Sequence, residues 1–335
     1  MIKYSIIIPT LNRAKILDKC LHRINNITKP NNDYEVLVID NGSTDNTKEI
    51  IKKYNFVNYL HEANPGLHNA RHCGARNAKG SVLCYIDDDS FVDKNWLIGI
   101  EEEFTNKDCV ISTGPCIPEF EKKPPKWLKY FWINCQYGKY FDKLSLIDFH
   151  KKKMLIPAWF VFGCNFIITK KAVFDNKGFN PDGMPKEFIN MRGDGETALS
   201  IKLNEQNILA NYNPKIKIHH LVSESRLTKD YLIKRSFEAG ISNSFSNFRN
   251  NIGICSNNFN VINKLVYKQS YFIKKTLKII TKIYYKIIAS SNNYKKFLEI
   301  KKLCDEENIK GYNYHQNLLK TDSDLIKWAS KENYL

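Results

Sequence analysis

SVLCYIDDDS, residues 81–90, joins a short apolar run to three consecutive carboxylates. Ser81–Ile86 reads as a buried strand. Asp87, Asp88 and Asp89 close it. Adjacent carboxylates repel, so such a run costs stability unless a cation or hydrogen bonds compensate. Mn2+ or Mg2+ is the natural compensator, because both prefer carboxylate oxygens and accept phosphates and waters as further ligands. The competing reading is an acidic turn that caps a helix starting near Asp93.

The preceding sequence repeats the pattern. Tyr4–Ile8 is apolar and β-branched and is broken by Pro9-Thr10. Glu35–Ile39 is closed by Asp40-Asn41-Gly42-Ser43, and Phe56–Leu60 is a third short run. Helical patterns lie between them over Lys15–Ile24, Thr44–Tyr54 (capped by Ser43 or Thr44) and Leu67–Ala78. Strands alternating with helices predict an α/β fold with a doubly wound, mainly parallel sheet. In such sheets ligands bind beyond the carboxyl ends of the strands. The loops Thr10-Leu11-Asn12-Arg13, Asp40 and Asp87–Asp89 stand there and can converge on one crevice. No GxGxxG follows the first strand and no GxxxxGK[ST] occurs, which argues against dinucleotide and P-loop chemistry.

The chain has 335 residues, 43% of them hydrophobic, enough to bury a real core. Its nine cysteines form no CxxC pair, which fits a reducing cytosol rather than a disulfide scaffold or structural zinc. The first apolar run ends at Pro9, too short for a signal peptide, and no stretch reaches the length of a membrane span. Further along, Phe160–Thr169 reads as a buried strand interrupted by Gly163. Gly195–Gln206 reads as a helix with Leu199 and Leu203 on one face, and the chain reads as helical after Asp230.

Three blocks carry a resemblance: SIIIPTLNR (5–13), VLVIDNGSTDNT (36–47) and NPGLHNARHCGARNAKGSVLCYIDDD (64–89). In this order and spacing they resemble the nucleotide-sugar-binding half of glycosyltransferase family 2, which has the GT-A fold. FVFGCNFIITKKAVFDNKGFN (160–180) and DGETALSIKL (194–203) continue it, and it fades after about residue 245. The resemblance implies a GT-A domain over 1–230, with a nucleotide-sugar half (1–107) and an acceptor half (108–230). A helical, basic region over 231–335 would follow.

The resemblance also implies roles. Pro9, Thr10, Asn12 and Arg13 line the nucleotide pocket, Asp40 bonds the base or ribose, and Arg71 lies near the donor. Asp87 and Asp89 match the DxD-type pair, Asp87 toward ribose and metal and Asp89 as metal ligand. Asp88 lies between them at the donor, its carboxylate expected in solvent. A histidine at His219 or His220 approaches the metal or diphosphate, and His219 is taken as the ligand. Arg226 lies over the donor phosphates, where a planar guanidinium can donate two hydrogen bonds. Gly163-Cys164-Asn165 matches a small-residue turn where sugar and acceptor meet, with Cys164 as a packing residue.

Breaking a sugar–phosphate bond leaves negative charge on the departing nucleoside diphosphate, which a divalent cation stabilises. The acceptor hydroxyl needs a general base. The family's usual G-E-D-x-E-L pattern is altered here. A gap-free match to LSIKL (199–203) puts Glu196 on the catalytic aspartate, and Asp194 remains a competitor, either of them otherwise serving a helix N-terminus. The implied reaction is inverting transfer from a nucleotide-sugar, UDP-sugar first, to a glycan or lipid-linked acceptor. A catalytically silent nucleotide-sugar or glycan-binding scaffold is the alternative.

The formal charge of +16 points to acidic partners or to a solvated lysine surface. Val261–Ser290 holds seven lysines and no acid, with apolar residues able to share another face. It suits an anionic membrane surface at the cytoplasmic face, or a helix packed on the catalytic domain. Nucleic acid is not expected, since no basic stretch with interleaved stacking aromatics joins a known module.

Overall fold

The computed structural model describes residues 2–28, 33–254 and 291–335. They form two units: Met1–Glu119, Ser145–Leu221 and Lys331–Leu335 in the first, Phe120–Leu144 and Val222–Ser330 in the second. The opening half of the chain runs β1 (Tyr4–Thr10), α1 (Ala14–Asn25), β2 (Tyr34–Asp40), α2 (Thr47–Ile51), β3 (Val57–His61), α3 (Leu67–Asn77), β4 (Val82–Tyr85), β5 (Ser90–Val92), α4 (Trp96–Phe104), β6 (Ile111–Thr113) and β7 (Cys116–Phe120). It continues through β8 (Ile133–Cys135), β9 (Gly138–Phe141), β10 (Leu146–Phe149), β11 (Met154–Pro157), β12 (Phe166–Thr169), α5 (Lys170–Asp175), α6 (Gly195–Glu205), β13 (Leu209–Tyr212) and β14 (Ile218–Val222). Three more helices are α7 (Lys229–Asn251), α8 (Asn292–Thr321) and α9 (Ser323–Ala329).

In the first unit one sheet has the order β11-β13-β6-β12-β4-β1-β2-β3. β1 lies parallel to β2 and β4, and β2 parallel to β3. Ile6, Ile7 and Ile8 of β1 and Val36, Val38 and Ile39 of β2 are all buried. Strands covered on both faces need continuous apolar runs, which is why these segments were readable. The other half of the sheet is mixed: β12 runs antiparallel to β4 and β6, β11 antiparallel to β13, and β13 parallel to β6. Thr10 pairs with Asp40 in register, and Ile86 N–H donates to the Ile7 carbonyl. The loops after β1, β2 and β4 therefore leave the sheet at one edge. A second ladder runs β5-β14-β7-β10. At the amino-terminal edge of the first sheet, Lys3, Lys79, Lys107, Lys170 and Lys171 line a cleft of about 540 Å³, so part of the excess charge does gather.

Several boundaries differ from the sequence reading. Only Phe166–Thr169 of the apolar run 160–169 is strand, because Gly163–Asn165 forms a 3-10 turn first. α2 is short and starts after Asn46, not Ser43 or Thr44, which the Asp40 and Asn12 side chains hold in the preceding loop. α4 starts after Asn95. The units also do not divide at residue 230: Phe120–Leu144 clusters with the later helices. Phe131 explains it, stacking on Phe141 at 5.8 Å and meeting Phe297 of α8 edge-on at 4.9 Å.

In the second unit α7 packs along α8. A Cβ on Gly311 would lie 2.0 Å from the Phe237 carbonyl oxygen, so that approach requires glycine. A buried polar contact, Ser244 Oγ to His315 Nδ1 at 2.7 Å, lies between the same helices. No helix among the described residues is long and apolar enough to cross a membrane. The lysine-rich segment 261–290 lies outside the described residues.

α3 buries His68 and His72, each at most 1% exposed. Burial lowers His68 to about 4 and His72 to about 3. A folded-state value below the unfolded value of about 6.5 means that the unfolded chain binds the extra protons. Stability is therefore full above about pH 6.5 and falls as pH drops below it, by up to about 1.4 kcal/mol per pH unit for each histidine. Urea unfolding at pH 7 and pH 5 should show the loss, and His72→Gln should make the dependence shallower. Equal slopes in the two proteins would take His72 out of the account.

Candidate active site

The loop after β1 is built on Asn12, which holds a left-handed backbone at φ 53°. Asparagine tolerates that conformation better than most residues. Its Oδ1 accepts the Thr44 N–H at 2.7 Å and the Asp45 N–H at 3.3 Å, and its own N–H donates to Ser43 Oγ. Asp40, buried at the end of β2, accepts the Ser43 N–H at 2.8 Å and the Tyr59 hydroxyl at 3.1 Å. Two strand-end loops are thus joined by side chains, and Pro9 and Thr10 finish the strand beside them.

The aspartates that follow β4 do not form one solvent-facing turn. Asp88 is 2% exposed, against the expectation of a carboxylate in water. Its Oδ1 pairs with Arg13 Nη1 at 2.6 Å and its Oδ2 accepts the Thr10 hydroxyl at 2.8 Å. The Ser90 N–H donates to the Asp87 carbonyl at 3.0 Å, so Asp88 and Asp89 are the middle of a tight turn, and carboxylates turned into the protein there need partners. Asp89, also 2% exposed, accepts Arg13 Nη2 at 2.8 Å on Oδ2 and lies 3.3 Å from His220 Nε2 through Oδ1. Arg13 therefore spans two adjacent carboxylates. Burial and the neighbouring carboxylates raise Asp87 and Asp88 above the usual carboxylate range, with Arg71 and Arg13 respectively opposing.

Asp87 faces the other way, toward Arg71. Arg71 Nη2 is 3.3 Å from Asp87 Oδ1, and Nη1 is 3.1 Å from Glu196 Oε2. The Arg71 side chain is 2% exposed, whereas Asp87 and Glu196 remain partly open at 30% and 20%. Burial disfavours the Arg71 charge, but Glu196, Asp87 and Asp182 outweigh it and hold the guanidinium firmly protonated. Breaking such a pair strands a buried charge at a cost of about 3–5 kcal/mol. Glu196 Oε1 accepts the Gly163 N–H at 3.1 Å. A Cβ on Gly163 would stand 2.2 Å from Arg71 Nη2, so the guanidinium occupies space that any other residue would fill. The floor under Arg71 is Phe179, whose ring centre is 5.4 Å from the guanidinium carbon.

The remaining expected residues fall elsewhere. Asp194 precedes α6 without capping it through its side chain, and its Oδ1 accepts Asn180 Nδ2 at 2.7 Å. His219 and His220 alternate on β14, and it is His220 that reaches Asp89. His219 has Lys217, Glu119, Asp93 and Arg23 as its charged neighbours, so it does not share the place beside Asp89. Arg226, in the second unit, lies over the Tyr231 ring at 6.0 Å. Cys164 is buried, with its Sγ 3.8 Å from Cys116 Sγ. Tyr59 and Phe179 had no sequence signal, and the volume left by Gly163 could not be read from a pattern of residues.

Mn2+ or Mg2+ is commonly held by one or two carboxylates plus substrate phosphates, without a full protein cage. Asp87 and Asp89 at one strand end, with His220 beside Asp89, supply a donor set of that kind. Among the described residues no group of three or more His, Cys, Asp or Glu forms a ready-made cage.

The sequence profile of Glycosyl transferase family 2 matches residues 5–174, just over half of the chain and all of the strand-end loops described above. The chain belongs to glycosyltransferase family 2. Among the proteins it resembles, glycosyltransferase AglE of Haloferax volcanii is 37% identical over 98 residues, 28% of this chain and 32% of that protein. Glycosyltransferase GlyA of Streptococcus pneumoniae is 27% identical over 169 residues, 47% of this chain and 24% of that protein. TarS of Staphylococcus aureus, a poly(ribitol-phosphate) β-N-acetylglucosaminyltransferase, is 30% identical over 102 residues, 29% of this chain and 18% of that protein. The matches thus span a third or less of these relatives' own lengths. The mannosyltransferase PcManGT of Pyrobaculum calidifontis, solved with GDP-Man and Mn2+, superposes with a TM-score of 0.59 at 14% identity, covering 92% of this chain and 86% of that one. The family 2 chain has the GT-A fold.

Proposed function

We propose that the protein transfers a sugar from a nucleoside-diphosphate donor to a glycan or lipid-linked saccharide acceptor, with inversion at the anomeric carbon. The observation that carries this reading is Arg71, which bridges Asp87 of the donor loop and Glu196 of the acceptor side. Neither an acidic cap nor a silent scaffold needs a buried arginine between two partly open carboxylates. UDP and GDP are the first nucleotides to test. GDP-Man is named for PcManGT and an N-acetylglucosaminyl transfer for TarS.

In this reading Thr10, Asn12, Arg13 and Asp40 hold the nucleoside, and Arg13 keeps Asp88 and Asp89 from repelling one another. Asp87 or Asp89 would hold Mn2+ or Mg2+ together with the donor phosphates, with His220 beside Asp89, and the ion would neutralise charge on the departing diphosphate. Glu196 takes the proton from the acceptor hydroxyl as its oxygen attacks the anomeric carbon and the sugar–phosphate bond breaks toward the diphosphate. Each carboxylate oxygen has two lone pairs, so Glu196 can accept that proton while keeping Arg71 and the Gly163 N–H. Asp194, whose carboxylate accepts the Asn180 amide, holds the loop ahead of α6 to the segment after α5.

A ligand that binds only the folded state raises its stability by mass action, by about 2.7 kcal/mol at a hundred times its dissociation constant. A screen of UDP- and GDP-sugars by thermal unfolding should yield at least one that raises the melting temperature by several degrees with Mn2+, and less with a chelator. If no nucleotide sugar stabilises the protein under either condition, the proposal is wrong.

A further inference from the structure

The segment Lys331–Leu335 belongs to the first unit, although α7, α8 and α9 before it belong to the second. It lies on α3. Lys177 Nζ pairs with Glu332 Oε2 at 3.0 Å, and the Tyr334 ring meets His68 edge-on at 6.2 Å. The Tyr334 carbonyl oxygen is 3.1 Å from His72 Nδ1.

The other nitrogen of His72 fixes the tautomer. The Phe179 backbone N–H points at His72 Nε2 at 2.8 Å, and a backbone N–H can only donate. Nε2 is therefore the acceptor, and in the neutral ring the proton sits on Nδ1, donating to Tyr334. Gly178 makes room: its φ is +66°, and a Cβ there would stand 2.5 Å from Nε2. The His72 ring also stacks on Phe179 at 5.8 Å and 29°. Phe179 in turn forms the face on which Arg71 rests. A continuous line of contacts runs from Tyr334 through His72 and Phe179 to Arg71 and Glu196.

We propose that His72 is a positioning residue for the Arg71–Glu196 pair, held in its working tautomer by the Phe179 N–H and in its working orientation by the Tyr334 carbonyl. The inference rests on Glu196 acting as the base. Without Tyr334 the Nδ1 proton loses its acceptor, the ring is free to turn, and Phe179 loses the partner that fixes its backbone and its stacking. Arg71 then keeps its carboxylates but not its floor, and the carboxylate that must meet the acceptor hydroxyl shifts with it. Small misplacements of a reacting group reduce rate far more than they reduce binding.

The test compares the full chain with one that stops after Asn333. The full chain should show His72 as the Nδ1–H tautomer in ¹⁵N–¹H correlation spectra, and the shortened chain should lose that signature. The shortened chain should lose roughly ten- to a hundredfold in kcat, with the donor KM within about twofold of the original. In an Arg71→Lys background, whose amine cannot span both carboxylates, the same truncation should have little further effect. A full chain lacking the Nδ1–H tautomer would overturn the inference. So would unchanged kcat after the tautomer is lost, or an equal fall in kcat in the Arg71→Lys background. Failure of the base assignment reads differently: Glu196→Gln would keep its turnover while the shortened chain lost its own.

Discussion

Glu196→Gln is expected to lower kcat by about 10²–10⁴-fold, the usual worth of a positioned general base. Glutamine is nearly isosteric, but it has one oxygen where Glu196 uses two. Its amide oxygen can stay on Arg71 Nη1 or on the Gly163 N–H, and the NH2 group must face the other donor. Asp87 still pairs with Arg71, so the guanidinium is not left alone among buried groups. Folding should survive and nucleotide affinity should stay within a few-fold, so kcat and kcat/KM should fall together. Asp194→Asn is the control. Its contact is with Asn180, and an amide oxygen can still accept there, so turnover should change little. The reverse result, a dead Asp194→Asn and an active Glu196→Gln, would exchange the two roles.

Asp89→Asn is expected to cost about 10²–10³-fold in kcat/KM, the range for removing one electrostatic stabiliser of a developing charge. The fold tolerates this change better than truncation. An asparagine oxygen can accept Arg13 Nη2 while its NH2 is left facing His220 Nε2, so neither neighbour is left beside a void. Asp89→Ala instead removes a contact from each and opens a void. In the Asn variant the response to added Mn2+, followed by calorimetric titration of nucleotide with and without the ion, should disappear along with the activity. His220→Ala should weaken that response and His219→Ala should leave it unchanged. Full manganese-dependent activity in Asp89→Asn would remove Asp89 from the metal site.

The nucleotide-sugar half was legible because buried parallel strands leave continuous apolar runs and their carboxyl ends carry the chemistry. What could not be read depends on phase or on close approach. His219 and His220 point to opposite faces of β14, and one residue of register decides which meets Asp89. Asp88 reads as a solvated turn residue until Arg13 and Thr10, which lie 75 or more positions earlier, are known to close over it. The apolar run 160–169 reads as a strand interrupted by Gly163, but nothing in it shows that the interruption is a 3-10 turn beside which Arg71 must pass. The aromatics of 120–144 were visible, but aromatic content does not name a partner, so their association with α8 was not.

Gly163 gives the site a requirement of a different kind. The other positions act by presenting atoms, whereas this one, besides the N–H it gives Glu196, acts by leaving a void that the guanidinium of Arg71 fills. Inactivation can therefore be engineered without altering any group that touches substrate: one methyl at 163 would evict the arginine and leave every acid and base in the sequence intact. Sequence inspection has the same blind spot. A chain can keep all its aspartates, its arginine and its glutamate and still be unable to bring them together, so residue 163 should be read first when judging whether a related chain can be active.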